Sequence, residues 1–219
     1  MHINQLAKNN SVLNTFLAEI RDINIQRDRM RFRRNIERIG EVLSYELSQS
    51  LDYLPTSITT PLGEKQTSLY KDEIVVCSIL RAGLPLHQGV LNYFDTAENA
   101  FISAYRKHQD NSNAFEVKVE YAACPSIDNK TLILVDPMLA TGQSLVLTYQ
   151  LLLQFGTPKH IHLMSVIGAA KGVDYVSDHL PQSCTLWVGD IDPDLNEKGY
   201  IIPGLGDAGD LAFGEKLQK

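Results

Sequence analysis

The chain has 219 residues, 44% of them hydrophobic and 21% charged, the balance of a globular protein with a sizeable core and not of a collagen, a disordered tail or a disulfide miniprotein. A formal charge of −6 argues against a general nucleic-acid binder, which needs excess Lys and Arg to neutralise phosphates, but leaves room for a local cluster that holds a small anion. No run approaches the roughly 20 apolar residues that span a bilayer, and Met1-His2-Ile3-Asn4-Gln5 lacks a secretory layout, so a cytoplasmic, one-domain protein with no membrane contact is expected.

Residues 1–70 read as a helical arm. Val12, Leu13, Phe16, Leu17 and Ile20 recur at helical spacing, as do Ile36, Ile39, Leu43, Leu47 and Leu51. An arginine-rich stretch, Arg27, Arg29, Arg31, Arg33, Arg34 and Arg38, runs from between them into the second stripe and fits an anion site or, more commonly, a solvated face paired with acids; no chemistry is assigned to it. From residue 74 short apolar runs alternate with amphipathic segments, the pattern of a parallel sheet covered on both faces. Strands are expected at 74–80, 100–104, 131–135, 161–167 and 185–188, and helices near 84–94 and 144–155, the second stopped by Gly156 and Pro158. Phe115, Val117, Val119 and Tyr121 alternate with Glu116, Lys118 and Glu120, as in a half-exposed strand of a projecting hairpin at about 105–125, a candidate lid. Cys77, Cys124 and Cys184 lie far apart and are expected reduced and mostly buried.

The chemistry concentrates in Val135-Asp-Pro-Met-Leu-Ala-Thr-Gly-Gln-Ser144. An apolar strand ends in Asp136, and a turn of small residues then opens into a helix. Unpaired N–H groups at a helix start, the helix dipole and the hydroxyls of Thr141 and Ser144 make a phosphate cradle, and Gly142 lets the main chain approach closely. An ordinary helix cap is the competing reading. No Gly-Lys-Ser/Thr follows, which argues against a Walker A site, and a carboxylate at the strand end suits a sugar hydroxyl. Arg81 follows another apolar strand and precedes Gly83, so it can face a diphosphate at the carboxyl edge of the sheet or serve as a salt-bridged surface arginine.

The segment from Asp136 to Ser144 resembles the phosphoribosyl-diphosphate motif of phosphoribosyltransferases, in the Asp-Pro-Met-Leu-Ala-Thr-Gly form typical of the uracil phosphoribosyltransferase family. Ile79-Leu-Arg-Ala-Gly-Leu84 and the tail Asn196-Glu-Lys-Gly-Tyr-Ile-Ile-Pro-Gly-Leu-Gly-Asp-Ala-Gly-Asp210 agree, and the resemblance runs from about residue 30 to Gly214. It implies an α/β protein of the type I phosphoribosyltransferase fold, with a central mainly parallel sheet, flanking helices, a core at 71–191 and a base-binding hood at 192–219. The implied reaction joins uracil and 5-phosphoribosyl diphosphate into UMP and pyrophosphate, with Mg2+ on the diphosphate and no direct protein ligand assigned to it. Carried over residue by residue, Arg81, Arg106, Asp136, Pro137, Met138, Leu139, Ala140, Thr141, Gly142, Gln143, Ser144 and Asp207 bind phosphoribosyl diphosphate. Ile201, Gly206, Asp207 and Ala208 bind uracil; Arg81, Arg106 and Asp207 take part in catalysis. A homo-oligomer is expected.

Three departures from the family stand out. Gln143 replaces a second glycine, the segment after Arg106 lacks the usual Glu-Glu-Thr-Leu, and Ala169-Ala-Lys-Gly172 replaces Ala-Ala-Pro-Glu-Gly, a change expected to reshape a loop. Gly204-x-Gly206-x-x-Gly209 matches the dinucleotide fingerprint formally, but ten residues remain to Lys219, too few for a βαβ unit. His160 and His162 share a strand face, where packing is favoured over metal binding. No nucleophile and base pair is evident, and Asp207 and bound water are the two candidates to accept the uracil N1 proton. The alternatives to uracil transfer are a phosphoribosyltransferase for another base, or a regulatory protein of this fold that senses a nucleotide or phosphoribosyl diphosphate without efficient turnover.

Overall fold

A computed structural model describes residues 1–108 and 115–217; the side chains of residues 104–120 lie outside that description. The chain opens with strand β1 (His2–Gln5) and a single 3-10 turn, then helices α1 (Val12–Arg21) and α2 (Arg29–Ser48). Each helix starts on a side-chain cap. Ser11 accepts from the Leu13 N–H while Asn14 reaches back to the Ser11 N–H, and Asp28 accepts from the N–H groups of Met30 and Arg31. Most of the two apolar stripes is buried, with Leu13, Leu17 and Ile20 on α1 and Phe32, Ile36, Ile39, Leu43 and Leu47 on α2, but Val12, at the first turn of α1, is 59% exposed and Phe16 is half-buried.

The expectation of a wholly helical arm over 1–70 is corrected: after α2 the chain forms a separate antiparallel hairpin of β2 (Tyr53–Thr60) and β3 (Gly63–Tyr70), and β1 pairs in parallel with the far edge of the main sheet. The rest of the order is β4 (Ile74–Ile79), α3 (Leu84–Leu91), β5 (Glu98–His108), β6 (Phe115–Ala123), β7 (Thr131–Val135), β8 (Met138–Leu139), α4 (Gln143–Leu152), β9 (His160–Ala169), α5 (Ala170–His179), β10 (Thr185–Asp192), β11 (Asp194–Leu195), β12 (Ile201–Ile202) and α6 (Ala208–Phe213). All five predicted strands are present. The segment 169–172 is not a loop, because α5 begins at Ala170.

The main sheet runs β1-β10-β9-β7-β4-β5-β6, parallel except for the β5–β6 pair, with β8 joined to β9. β5 and β6 form the expected hairpin, and its turn at 109–114 lies outside the described residues. Alternation sends Val76, Ile133, Val135, Met164 and Val166 to one face, with α1, α2 and α3. Val75, Cys77, Leu132, Leu134 and Leu163 go to the other, with α4 and α5. The central strands are buried on both faces, hence their unbroken apolar sequence. α2 and α3 touch backbone to backbone, since a Cβ on Gly89 would stand 2.2 Å from the Glu37 carbonyl oxygen. Cys77 and Cys184 are buried and Cys124 half-buried, all as free thiols; burial raises the Cys184 thiol to about 12. Among the described residues no helix is long and apolar enough to cross a membrane.

Strand order fixes where a ligand can bind. From β4 the chain steps through α3 to β5 on one side, then returns to β7 on the other side of β4 and moves away through β9 and β10. The connections leaving β4 and β7 therefore diverge, and their carboxyl ends border the crevice in which open α/β sheets bind ligands. Arg81 and Asp136 follow these two strands directly.

Candidate active site

Beyond β7 the Asp136 N–H donates to the Met164 carbonyl, and the Asp136 Oδ1 accepts from the Met138 N–H at 3.2 Å. The Pro137 carbonyl accepts from both Val166 and Ile167. Met138 and Leu139 then pair with Ile167 and Gly168, and Leu139 is buried. Residues Met138–Leu139 thus form a short strand that seats the cradle; the turn proper is Ala140-Thr141-Gly142.

Helix α4 starts at Gln143 with Gly142 at its N-cap and no side-chain cap. The first N–H groups of a helix have no partner within it, so those of Gln143, Ser144 and Leu145 face outward beside the positive end of the dipole. Gly142 has φ +78, the left-handed region, and a Cβ there would meet the Gly172 carbonyl oxygen and Val176 Cγ1, each at 2.9 Å. Gly172 in turn lies so close that its own Cβ would stand 2.1 Å from the Ala140 carbonyl oxygen. Helix α5 thus braces the cradle from behind.

After β4, Leu80 donates its N–H to the Ile102 carbonyl, and Gly83 and Leu84 donate to Ile79 and Arg81, a tight turn leading into α3. Gly83 leaves no room for a side chain, since a Cβ would stand 2.5 Å from Ser78 Oγ. Arg81 Nη2 donates to Asp210 Oδ1 at 2.9 Å and to the Gly214 carbonyl at 3.0 Å. Arg81 is therefore salt-bridged, with its side chain 41% exposed at the carboxyl edge of the sheet. Arg106 lies on β5, in register with Val117 of β6; the diphosphate contact expected of it falls on a side chain outside those described.

The tail closes over the same edge. β11 and β12 make a small antiparallel ladder, Ile201 is buried, and Gly204 and Gly206 turn the chain at φ +60 and +98. Asp207 caps α6 through its Oδ1, which accepts from the Asp210 N–H at 3.0 Å, and its Oδ2 lies 3.4 Å from Lys216 Nζ. A cleft of about 210 Å3 results, bordered by Asp136, Met138 and Ala140 on the cradle side and by Ile201, Gly206, Asp207 and Ala208 on the tail side. Asp136, Met138 and Ala140 also line the smaller cradle depression with Leu139, Thr141, Gly142 and Ser144, so the cradle and the tail cleft adjoin along these three residues. Ala82, Gly199 and Tyr200, given no role from the sequence, line the tail cleft too, as does Gly209.

Four arginines of the run are engaged within the protein. Arg31 pairs with Glu19 and Arg34 with Glu37, Arg38 donates to Asn35 and lies over the Phe16 ring, and Arg33 donates to the Ala212 carbonyl at 2.7 Å while lying over the Phe213 ring. His162 is buried and accepts from Trp187 Nε1 at 3.1 Å, in keeping with packing; burial and the neighbouring His160 lower it to about 4. His160 groups with Asp52 and Asp72 near the amino ends of β7 and β9, away from the cleft, where Lys159 already occupies Asp52. Among the described residues no other group of three such ligands comes together.

The chain is 54% identical over 217 residues to the uracil phosphoribosyltransferase of Porphyromonas gingivalis, covering 99% of this chain and all of that one. It is 35% identical over 205 residues to the protein of that name from Thermococcus gammatolerans, covering 92% and 89%. Among solved structures, a protein of Aquifex aeolicus superposes with a TM-score of 0.85 at 28% identity, covering 98% of this chain and 99% of that one. A Staphylococcus aureus hypoxanthine phosphoribosyltransferase, at 17% identity and a TM-score of 0.52 over 85% and 83% of the two chains, shares the fold. The family model described as uracil phosphoribosyltransferase matches residues 7–215, and the chain belongs to that family.

Proposed function

We propose that this protein transfers the phosphoribosyl group of 5-phosphoribosyl diphosphate to uracil, releasing UMP and pyrophosphate, as a step of pyrimidine salvage. The observation that carries the reading is adjacency: the depression at the uncapped helix start and the cleft under the glycine-rich tail meet along Asp136, Met138 and Ala140. A phosphate-bearing sugar on one side and a flat base on the other are then held in line.

In this reading the N–H groups opening α4, with the hydroxyls of Thr141 and Ser144, take the 5-phosphate, and Asp136 takes the ribose hydroxyls. Arg81 and Arg106 take the diphosphate. Displacement at the anomeric carbon passes through a cationic, oxocarbenium-like sugar, so charge must be stabilised on the departing pyrophosphate. Mg2+ on the diphosphate would supply part of that charge, and Asp136 and Asp207, which both border the cleft, offer the hard oxygen donors that suit it, directly or through water. Main-chain groups at Ile201 and 206–208 read the base, and Asp207 or a bound water accepts the uracil N1 proton.

The same reading places the protein in the cytoplasm as a homo-oligomer. The β2–β3 hairpin supports self-association: it pairs with no strand of the main sheet and exposes Tyr53, Leu54, Ile58, Leu62 and Leu69. Pyrophosphate release measured with uracil, cytosine, hypoxanthine and orotate tests the function. Turnover with uracil alone is expected, turnover with another base would reassign the substrate, and turnover with none would favour a sensing role.

A further inference from the structure

Both hydrogen bonds of the Arg81 guanidinium leave from one nitrogen, Nη2, to Asp210 and to the Gly214 carbonyl. A guanidinium forks onto an oxyanion along one of two edges, Nη1 with Nη2 or Nε with Nη2, and Nη2 carries one hydrogen on each. Two acceptors at Nη2 therefore engage both edges at once. In this arrangement Arg81 retains only single donors.

The acceptor is itself firmly placed. The Asp210 N–H bonds to Asp207 Oδ1, and its carbonyl accepts from the Gly214 N–H at 2.8 Å. Arg33 of α2 holds the adjacent Ala212 carbonyl, fixing α6 from its outer side. The cleft is close by: a Cβ on Gly209, one of its lining residues, would lie 4.0 Å from Arg81 Nη2.

We infer that Asp210 is a positioning residue that holds one edge of Arg81 closed, so that a diphosphate forks onto that edge only by displacing the Asp210 carboxylate. The inference rests on the transferase reading for the identity of the anion. It links the two halves of the cleft, because the residue displaced belongs to the helix that Asp207 caps. Loading of the diphosphate thereby loosens α6 before the base is enclosed.

The test uses the full chain and inorganic pyrophosphate as the probe. Asp210→Asn keeps the shape and a weaker acceptor, so the Kd of pyrophosphate and the KM of phosphoribosyl diphosphate should fall about two- to fivefold, the range for a part-exposed ion pair, while the KM of uracil stays unchanged. In an Arg81→Ala background the same substitution should do nothing to pyrophosphate binding. A purely structural Asp210 would move Kd upward together with a lower Tm. Should Asp210→Asn fold poorly, amide exchange of residues 208–214 in the unaltered protein decides: it should quicken on saturation with pyrophosphate, and unchanged or slower exchange overturns the proposal. Uracil turnover by the unaltered protein with unchanged or weaker pyrophosphate binding in Asp210→Asn overturns the positioning role and leaves the transferase reading standing. Tighter binding in that variant with no uracil turnover by the unaltered protein does the reverse.

Discussion

Arg21 clasps both carboxylate oxygens of Asp192, Nη1 at 2.7 Å from Oδ2 and Nη2 at 2.9 Å from Oδ1. The same pair holds the tail loop, since Gly204 donates its N–H to Asp192 Oδ2 and its carbonyl accepts from Arg21 Nη1, each at 3.0 Å. The Asp192 side chain is 6% exposed and that of Arg21 19%. Asp192→Ala would leave a mostly buried guanidinium with only the more exposed Asp190 as a charge partner, and such losses cost about 3–5 kcal/mol. A large drop in Tm is expected, with the KM of uracil rising more than that of phosphoribosyl diphosphate because Gly204 leads into the tail side of the cleft, where the base is proposed to bind. A Tm close to that of the unaltered protein would contradict this account.

If Arg81 takes the diphosphate as proposed, Arg81→Ala removes a charge-assisted donor from the departing group. Loss of kcat/KM worth about 2–4 kcal/mol is expected, measured as uracil-dependent pyrophosphate release. Because the Asp210 bridge is part-exposed, the change in Tm should be small. Unchanged kcat/KM for phosphoribosyl diphosphate would remove Arg81 from the site.

The pattern of these contacts explains what sequence reading could reach. The strand at 131–135 was expected with the bounds observed because it is buried on both faces and its sequence, Thr-Leu-Ile-Leu-Val, is apolar after its first residue. The hairpin of β2 and β3 escaped because neither of its faces is buried, so no alternation marks it, and β1 escaped because four mostly polar residues become a strand only by pairing with β10. The cradle was legible since its turn, N-cap and helix are contiguous. Arg21, Asp192 and Asp210 were not: Arg21 meets Asp192 across 171 residues, and Arg81 meets Asp210 across 129, separations that leave no local signature. Gly172 was read as part of an altered loop, whereas it is the helix position that lets α5 touch the cradle backbone.

Asp136→Asn separates a binding carboxylate from a structural one. The Asp136 Oδ1 accepts from the Met138 N–H, which an amide oxygen can also do, so the turn should survive with little change in Tm. Affinity for phosphoribosyl diphosphate should fall more than affinity for uracil. Equal loss of both with a lowered Tm would assign Asp136 to the fold alone.

His162 makes stability depend on acid. Its pKa is lowered from 6.5 to about 4 in the folded protein, chiefly by burial, so the unfolded chain binds the proton more readily. Its contribution is complete above about pH 6.5 and is lost as pH falls toward 4, with a slope approaching about 1.4 kcal/mol per pH unit. His162→Asn, which keeps an acceptor for Trp187 Nε1, should flatten the denaturant-midpoint profile across that window. An unflattened profile would mean that the acid sensitivity arises elsewhere.

Base selectivity tests the tail most directly. If main-chain groups at Ile201 and at 206–208 read uracil, its 4-oxo group accepts from a backbone N–H and its N3 hydrogen is donated to a carbonyl. Cytosine fails on both contacts, presenting an amino donor to the N–H and a bare N3 to the carbonyl, and each unmet buried group costs about 1–3 kcal/mol. Discrimination in kcat/KM of up to about 10⁴ follows. Gly206 supplies the companion experiment. A Cβ there would have room, with only Leu211 Cδ1 at 3.9 Å, so filling of the loop is not the obstacle; the backbone is, since φ +98 is strained for any β-branched residue. Gly206→Val should therefore shift the tail loop and raise the KM of uracil while sparing the sheet, which ends at β10 before the tail begins. Values of kcat/KM for uracil and cytosine within about tenfold of each other would rule out recognition through two complementary main-chain bonds.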